Sequence, residues 1–199
     1  MGRQYVTVLG DDMKSAVLAA VVLAGVVAGT PARAQHAHAA HEHGVSELRV
    51  VAEGEALVVE FASPLDNLVG FEHAPRTPAE RKAMTDAEVA LRNGVGLFQP
   101  SAAANCRLKD VALDSPWLQG KRHDHGHDHA HAHAEPASDG HAELVAEYRF
   151  ECARPAALES LRIGLFDAFP RLRELRAERA TARGQGAAVL KAGQAELPL

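Results

Sequence analysis

Residues 117–140 restrict the fold more than any other part of the chain, because they contain almost nothing apolar to bury. Histidine alternates with Asp, Gly or Ala from His123 to His133, and a Glu-Pro-Ala-Ser-Asp-Gly stretch follows. A segment of this composition cannot offset the conformational entropy lost on ordering. We therefore expect a linker that is disordered without metal, and we expect residues 35–116 and 141–199 to supply one compact domain.

The first 34 residues have the pattern of a secretory signal. An apolar run over Ala16–Gly29 follows Lys14 and precedes Thr30-Pro-Ala-Arg-Ala34, a small-x-small cleavage pattern. A spanning helix needs about 20 apolar residues, so a retained anchor is the weaker alternative. We predict residues 1–34 to be a signal peptide cleaved after Ala34, with no membrane span afterwards. Met13 gives a more typical start than Met1.

The overall charge and the motif content exclude several functions. Lys and Arg total 21 against 26 Asp and Glu, which gives a net charge of −5. A nucleic-acid partner is not expected without a basic footprint. The chain contains no His-Glu-x-x-His helix, Gly-x-Ser-x-Gly elbow or phosphate-binding glycine loop. We therefore expect a protein that is not an enzyme.

Hydrophobic periodicity in residues 35–116 predicts a hairpin, a helix and a strand. Apolar residues alternate from Ser46 to Ser63 around Glu53-Gly54, which is typical of two paired strands. An ordered loop is expected over Asp66–Pro75. Thr77-Pro-Ala-Glu80 is a capping-box signature and predicts a helix that runs to about Arg92. A third strand is predicted over residues 104–113.

In residues 141–199 we predict a strand, a helix and two further strands. Apolar residues occupy every even position from Ala142 to Cys152. Leucine and phenylalanine spacing after Pro155 predicts a second helix that ends at Pro170, and weaker strands follow around 172–180 and 187–199. The fold class is α+β, with antiparallel sheet and two helices. A short echo between Leu91–Phe98 and Leu161–Phe166 leaves open whether the two halves are related.

Cys106 and Cys152 are the only cysteines, and both lie in predicted strands. Export to an oxidising compartment permits a disulfide between them. Metal ligation by the two thiolates is the poorer alternative, because neither has a second cysteine two to four residues away. We predict that the two cysteines are bonded.

Ten of the twelve histidines fall in two short windows. Neutral imidazole binds Zn²⁺, Ni²⁺ and Cu²⁺ well, and His-x-His spacing on a flexible backbone lets several rings reach one ion. His141, at the start of the best strand, could add an ordered ligand. The predicted metal ligands are His123, His125, His127, His129, His131, His133 and His141, with His36, His38, His41 and His43 in the N-terminal window.

Not every histidine is predicted to bind metal. His73 lies in the predicted loop, away from both windows, and a lone loop histidine is more often a structural hydrogen-bonding group. Neighbouring Glu72 could ligate a metal or simply face solvent. The windows themselves could also belong to a polar linker and a frayed tail that bind metal only incidentally.

Several segments together resemble the ZrgA-like family of zinc-regulated periplasmic zinc-binding proteins. The resemblance rests on His43-Gly44 before a hairpin, Asn67-Leu-Val-Gly-Phe-Glu-His-Ala-Pro75, the histidine insert, Tyr148-Arg-Phe-Glu-Cys152 and Leu165-Phe-Asp-Ala-Phe-Pro170. It implies a periplasmic protein that binds Zn²⁺ and assists uptake, alongside an ABC-type zinc importer or its binding protein. A broader nickel, copper or cobalt homeostasis protein and a structural envelope protein remain alternatives.

Overall fold

The computed structural model describes residues 42–117 and 142–199, which form two β-sheets and several short helices. None of the helices in these two ranges has the length and apolar character needed to span a bilayer. The strands are β1 (Val45–Glu53), β2 (Ala56–Pro64), β3 (Phe98–Pro100), β4 (Cys106–Asp114), β5 (Glu143–Cys152), β6 (Ser160–Ile163), β7 (Glu174–Thr181), β8 (Gly184–Lys191) and β9 (Glu196–Pro198). The helices are α1 (Leu65–Val69), α2 (Pro78–Arg92), α3 (Gly94–Leu97) and α4 (Leu165–Ala168), with 3-10 turns at Ala102–Ala104 and Pro155–Ala157.

The larger sheet has six strands in the order β4-β5-β2-β1-β7-β8. All neighbouring strands are antiparallel except β1 and β7. These two strands are parallel, and their pairing begins with Val45 opposite Glu174. The smaller sheet, β3-β6-β9, is antiparallel throughout. The six-stranded sheet therefore combines strands from before and after the histidine-rich segment, and the predicted antiparallel character is confirmed.

The central strands β1, β2 and β5 of the large sheet each have one buried and one more exposed face. Leu48 and Val50 on β1 and Val59 and Phe61 on β2 are at most 1% exposed. The opposite face carries cross-strand ion pairs, such as Arg49 with Glu60 at 2.9 Å. An antiparallel sheet with one wet face needs this alternation, so only one face of the sheet requires a covering layer.

The covering layer is made by α2, α3 and the small sheet. Buried Tyr148 on β5 donates its hydroxyl to the Leu91 carbonyl of α2 at 2.9 Å, and its ring contacts Phe98 of β3 at 4.7 Å between centroids. Burial raises the pKa of the Tyr148 phenol. Gly94 lies against the same ring, since a Cβ there would come within 2.6 Å of it. Tyr148 thus joins both sheets and the helix in one core.

The predicted hairpin, the strands at β4 and β5 and the capped helix α2 are confirmed. Thr77 accepts from the Glu80 N–H, and the Glu80 carboxylate accepts from the backbone N–H groups of Arg76 and Thr77. These donors hold the pKa of Glu80 below its usual range. The alternating burial of β5 follows from its strict period of two.

The predicted second helix between Pro155 and Pro170 is wrong. The segment forms a 3-10 turn, strand β6 and the four-residue helix α4. Leucine spacing there also fits a strand, because Leu161 and Ile163 are buried while Arg162 between them is exposed. Because β6 pairs with both β3 and β9, the segment adopts the strand period and not the helical one.

Two other boundaries differ from the sequence prediction. The expected loop over Asp66–Pro75 begins inside α1, which ends at left-handed Gly70. The expected last strand is divided into β8 and β9 by a turn at residues 192–195. The echoing segments also differ in backbone, since Leu91–Phe98 is mostly helical whereas Leu161–Ile163 is a strand.

Cys106 and Cys152 face each other across β4 and β5 and form a disulfide. The predicted bond is confirmed, and the alternative of thiolate ligation is wrong. The bridge lies at the end of this strand pair opposite to the histidine-rich segment, because β4 runs away from Cys106 and β5 runs towards Cys152. The two cysteines are 46 positions apart in the sequence, and their bond closes the chain between them into a loop.

Replacing both cysteines by serine should lower the free energy of unfolding by about 4 kcal/mol, the loop-entropy figure for a closure of this length. Chemical denaturation of the variant and of the oxidised protein measures the difference. Reduced wild-type protein is the matched control and should unfold like the variant. Two free thiols in denatured, unreduced protein would contradict the bond.

Candidate metal centre

The one histidine of the two windows that the structure describes is His43, and its backbone is held where the chain enters β1. Gly44 follows it with φ +86°, and the Arg173 guanidinium occupies the space a Cβ would need, with its Nε 2.3 Å from that position. The Gly44 carbonyl accepts from the N–H groups of Arg173 and Glu174 at 2.8 and 2.9 Å. Another residue here would be strained by the positive φ and would displace the Arg173 side chain, so glycine suits this position.

Asn67 fastens the same segment from α1. Its side chain is fully buried, accepts from the Gly44 N–H at 2.6 Å and donates to the Val45 carbonyl at 2.8 Å and to Ser46 Oγ at 3.2 Å. A buried amide with both ends bonded fixes two backbone groups that would otherwise be unsatisfied. His43 therefore projects from a rigid turn.

The His43 ring lies between two carboxylates. Nδ1 is 3.7 Å from Asp66 Oδ2, and Nε2 is 3.9 Å from Glu72 Oε1. The imidazole is 60% exposed, whereas the Asp66 and Glu72 side chains are only 14% and 15% exposed. One face of the ring is thus open to solvent beside two partly shielded negative groups.

Asp66 is also engaged by Arg171. The guanidinium donates to both carboxylate oxygens at 3.0 and 3.2 Å and to the Asp66 backbone carbonyl at 2.8 Å. Arg173 donates to the His43 carbonyl at 2.7 Å. The two arginines therefore position His43 and Asp66, and Arg171 balances the Asp66 charge.

His73 lies elsewhere in the loop after α1. Its ring stacks on Phe71 with centroids 5.1 Å apart, and Nδ1 is 3.0 Å from the Ala74 carbonyl oxygen. Both contacts are with residues of its own loop, and the structural role expected for His73 stays a prediction.

The remaining predicted metal ligands lie outside the described residues: His36, His38, His41, His123, His125, His127, His129, His131, His133 and His141. Within residues 42–117 and 142–199, no group of three or more His, Cys, Asp or Glu side chains is arranged to hold a metal ion. The described part of the chain therefore contributes His43 and the neighbouring carboxylates of Asp66 and Glu72. These groups do not by themselves make a complete metal site.

Both histidine windows join the described fold at one end of the six-stranded sheet, which we call the His43 end. β4 ends there at Asp114 and β5 begins at Glu143, so the histidine-rich segment connects adjacent antiparallel strands. The carbonyl of Ala142 accepts from the Leu65 N–H at 2.9 Å, one residue before Asp66. The N-terminal window leads directly into His43.

Sequence reasoning predicted His43 as a ligand but missed its neighbours. In the sequence Glu72 stands out only as the neighbour of His73, and no pattern around Asp66, Arg171 or Arg173 signals a site. Their proximity depends on long-range packing, since Arg171 is 105 residues from Asp66.

Replacing Asn67 by alanine should lower the free energy of unfolding by at least about 2 kcal/mol, because Gly44 and Val45 each lose a buried partner. Urea titration measures the loss. Gln185→Ala, which removes an exposed amide on β8, is the control and should change stability by less than about 0.5 kcal/mol. Equal stability of the two variants would contradict the anchoring role of Asn67.

Comparison with known proteins agrees with the resemblance seen in the sequence. No curated protein matches the chain with statistical significance. A family model described as ZrgA family zinc uptake protein matches residues 40–199, which include both sheets and the surroundings of His43. The match spans well over half of the chain, and this family is described by zinc uptake and not by a catalytic activity. The chain belongs to the ZrgA family of zinc uptake proteins.

Proposed function

We propose that the protein captures or buffers zinc in the periplasm through its histidine-rich segments and thereby assists an importer. The observation that carries this proposal is the joining of both histidine windows to the fold at the His43 end of the sheet. Family membership supports the zinc-related uptake role. The binding mode, the compartment and the importer are our inferences.

The ligand chemistry suits capture followed by release. Several imidazoles on one stretch of chain can share an ion without imposing a fixed geometry. Ligands from Asp124 and Asp128 could join them or orient a neighbouring ring. Zinc is the cargo here, so the proposal includes no catalytic step.

The proposed ligand set is the one predicted from the sequence. The linker window supplies most imidazoles, and the N-terminal window and His141 supply the rest. We assign zinc binding to His123, His125, His127, His129, His131 and His133, with His141, His36, His38, His41 and His43.

The organisation of the chain follows from the same proposal. Residues 1–34 direct export and are removed, residues 117–140 carry the main histidine window, and the flanking parts form the supporting domain. An ABC-type zinc importer or its binding protein is the proposed recipient, since an uptake role outside the cytoplasm requires a transporter to move the ion inwards.

Replacing the six linker histidines by glutamine in the mature chain should remove most of the bound zinc, because glutamine keeps the polarity but lacks the imidazole nitrogen. Metal analysis and calorimetry measure stoichiometry and affinity. Circular dichroism should show the same fold, since the linker contributes almost no apolar surface.

Lys121→Gln with Arg122→Gln is the matched control in the same segment and should leave zinc binding unchanged. Unaltered stoichiometry and affinity in the histidine variant would show that the sites lie elsewhere. Preference for nickel, copper or cobalt over zinc in a competition titration would overturn the assignment of the cargo.

A further inference from the structure

We propose that His43 Nε2 and the Glu72 carboxylate form a fixed docking pair for zinc, with Asp66 orienting the imidazole through Nδ1. The proposal rests on the proposed function in taking zinc as the cargo. It adds a built site to the histidine windows and assigns a separate role to each of the two carboxylates beside His43.

The spacing of the pair fits one zinc ion with little movement. Zn–N and Zn–O bonds are about 2.0 to 2.2 Å long, so two ligands of a tetrahedral ion lie about 3.4 Å apart. His43 Nε2 and Glu72 Oε1 are 3.9 Å apart. A rotation of the half-exposed imidazole that brings the two atoms about half an ångström closer completes the ligand geometry.

Asp66 is suited to orient the imidazole from outside the coordination sphere, and Glu72 is suited to bind the ion directly. Both Asp66 oxygens already accept from the Arg171 guanidinium. Asp66 Oδ2 lies 3.7 Å from His43 Nδ1, and a small rotation of the imidazole brings Nδ1 within hydrogen-bond distance of it. A carboxylate that accepts from the second nitrogen of a ligating histidine fixes its tautomer and raises its basicity. Glu72 faces the other nitrogen, where the metal would bind.

The backbone on the His43 side of the pair is held before any ion arrives. Arg173 donates to the His43 carbonyl, and Asn67 holds Gly44 from a fully buried position. Support of this kind positions the imidazole before the ion binds. The two lightly exposed carboxylates also act through a lower local dielectric than a surface pair would.

Nearby cations limit how tightly the pair can hold zinc. The charge of Arg171 is balanced by Asp66, and the charge of Arg176 is balanced by Glu42 at 2.8 Å. Arg173 donates to the neutral His43 carbonyl, which does not balance its charge. With two protein ligands, a tetrahedral ion keeps two positions open on the solvent side of His43. We therefore assign the pair to exchange of zinc between ligand sets and not to permanent storage.

Nuclear magnetic resonance of the full mature chain, labelled with ¹⁵N at its imidazoles, tests the pair directly. Zinc alone is the probe, added below one equivalent. The expected result is a shift of the His43 Nε2 resonance while Nδ1 stays protonated. An unchanged His43 resonance while other histidines shift would overturn the docking pair and leave the proposed function standing. No shift in any histidine would overturn both.

Three variants of the same chain separate the roles. Glu72→Gln should weaken zinc binding at His43 by more than tenfold, and Asp66→Asn should weaken it roughly tenfold to a hundredfold, the usual range for a partner outside the coordination sphere. His43→Ala should abolish it.

Controls come from outside the pair. His73→Ala removes a histidine held by local contacts, and Glu60→Gln removes a carboxylate on the exposed sheet face. Both should leave the His43 response unchanged. Equal responses in Glu72→Gln and Glu60→Gln would overturn the ligand role of Glu72.

Discussion

The buried amide of Asn67 is the contact on which the order of the His43 end depends. It joins α1 to the first residues of β1, and β1 lies between β2 and the parallel strand β7 in the large sheet. The start of β7 is bonded to Gly44 in turn. Asn67 thus joins α1 to the start of β1, and Gly44 joins the start of β1 to the start of β7, so the residue before Gly44, His43, is positioned as a consequence.

Polar groups are arranged differently on the exposed face of the large sheet and at its His43 end. On the exposed face of the sheet, Arg49 and Glu60 pair across strands while both remain partly exposed to water, where such pairs contribute little stability. At the His43 end, Asp66 and Glu72 are shielded and lie beside an imidazole. The polar groups at this end therefore do not pair across strands, and they lie around one half-exposed imidazole.

Local patterns predicted those elements whose period was unambiguous. The even-position burial of β5, the capping box of α2 and the hairpin β1–β2 all follow from short-range rules. The helix predicted over 155–170 was wrong because the sequence fits two periods. Leu158, Leu161 and Leu165 have helical spacing, whereas Leu161 and Ile163 have the two-residue spacing of a strand. Pairing with β3 and β9 resolved the ambiguity, and such partners cannot be read from the segment itself.

The candidate site was predictable only in part for the same reason. Histidine clustering predicts the type of ligand and includes His43 among the four histidines of the N-terminal window. Glu72 and Asp66 reach His43 only after α1 has packed against the start of β1 and Arg171 has come in from a distant segment. Site residues brought together by tertiary contacts leave no periodic signal in a single sequence.

The position of the disulfide explains how a fold of this size can carry a long histidine-rich insert. β4 and β5 are joined by that insert at the His43 end and by Cys106–Cys152 at the opposite end. The bridge keeps the strands paired whatever the length of the connecting chain. Doubling the length of a flexible loop costs only about 0.6 kcal/mol of closure entropy. Histidines can therefore be added between the strands with little loss of stability, so under the proposed function the capacity for zinc and the stability of the fold vary almost independently.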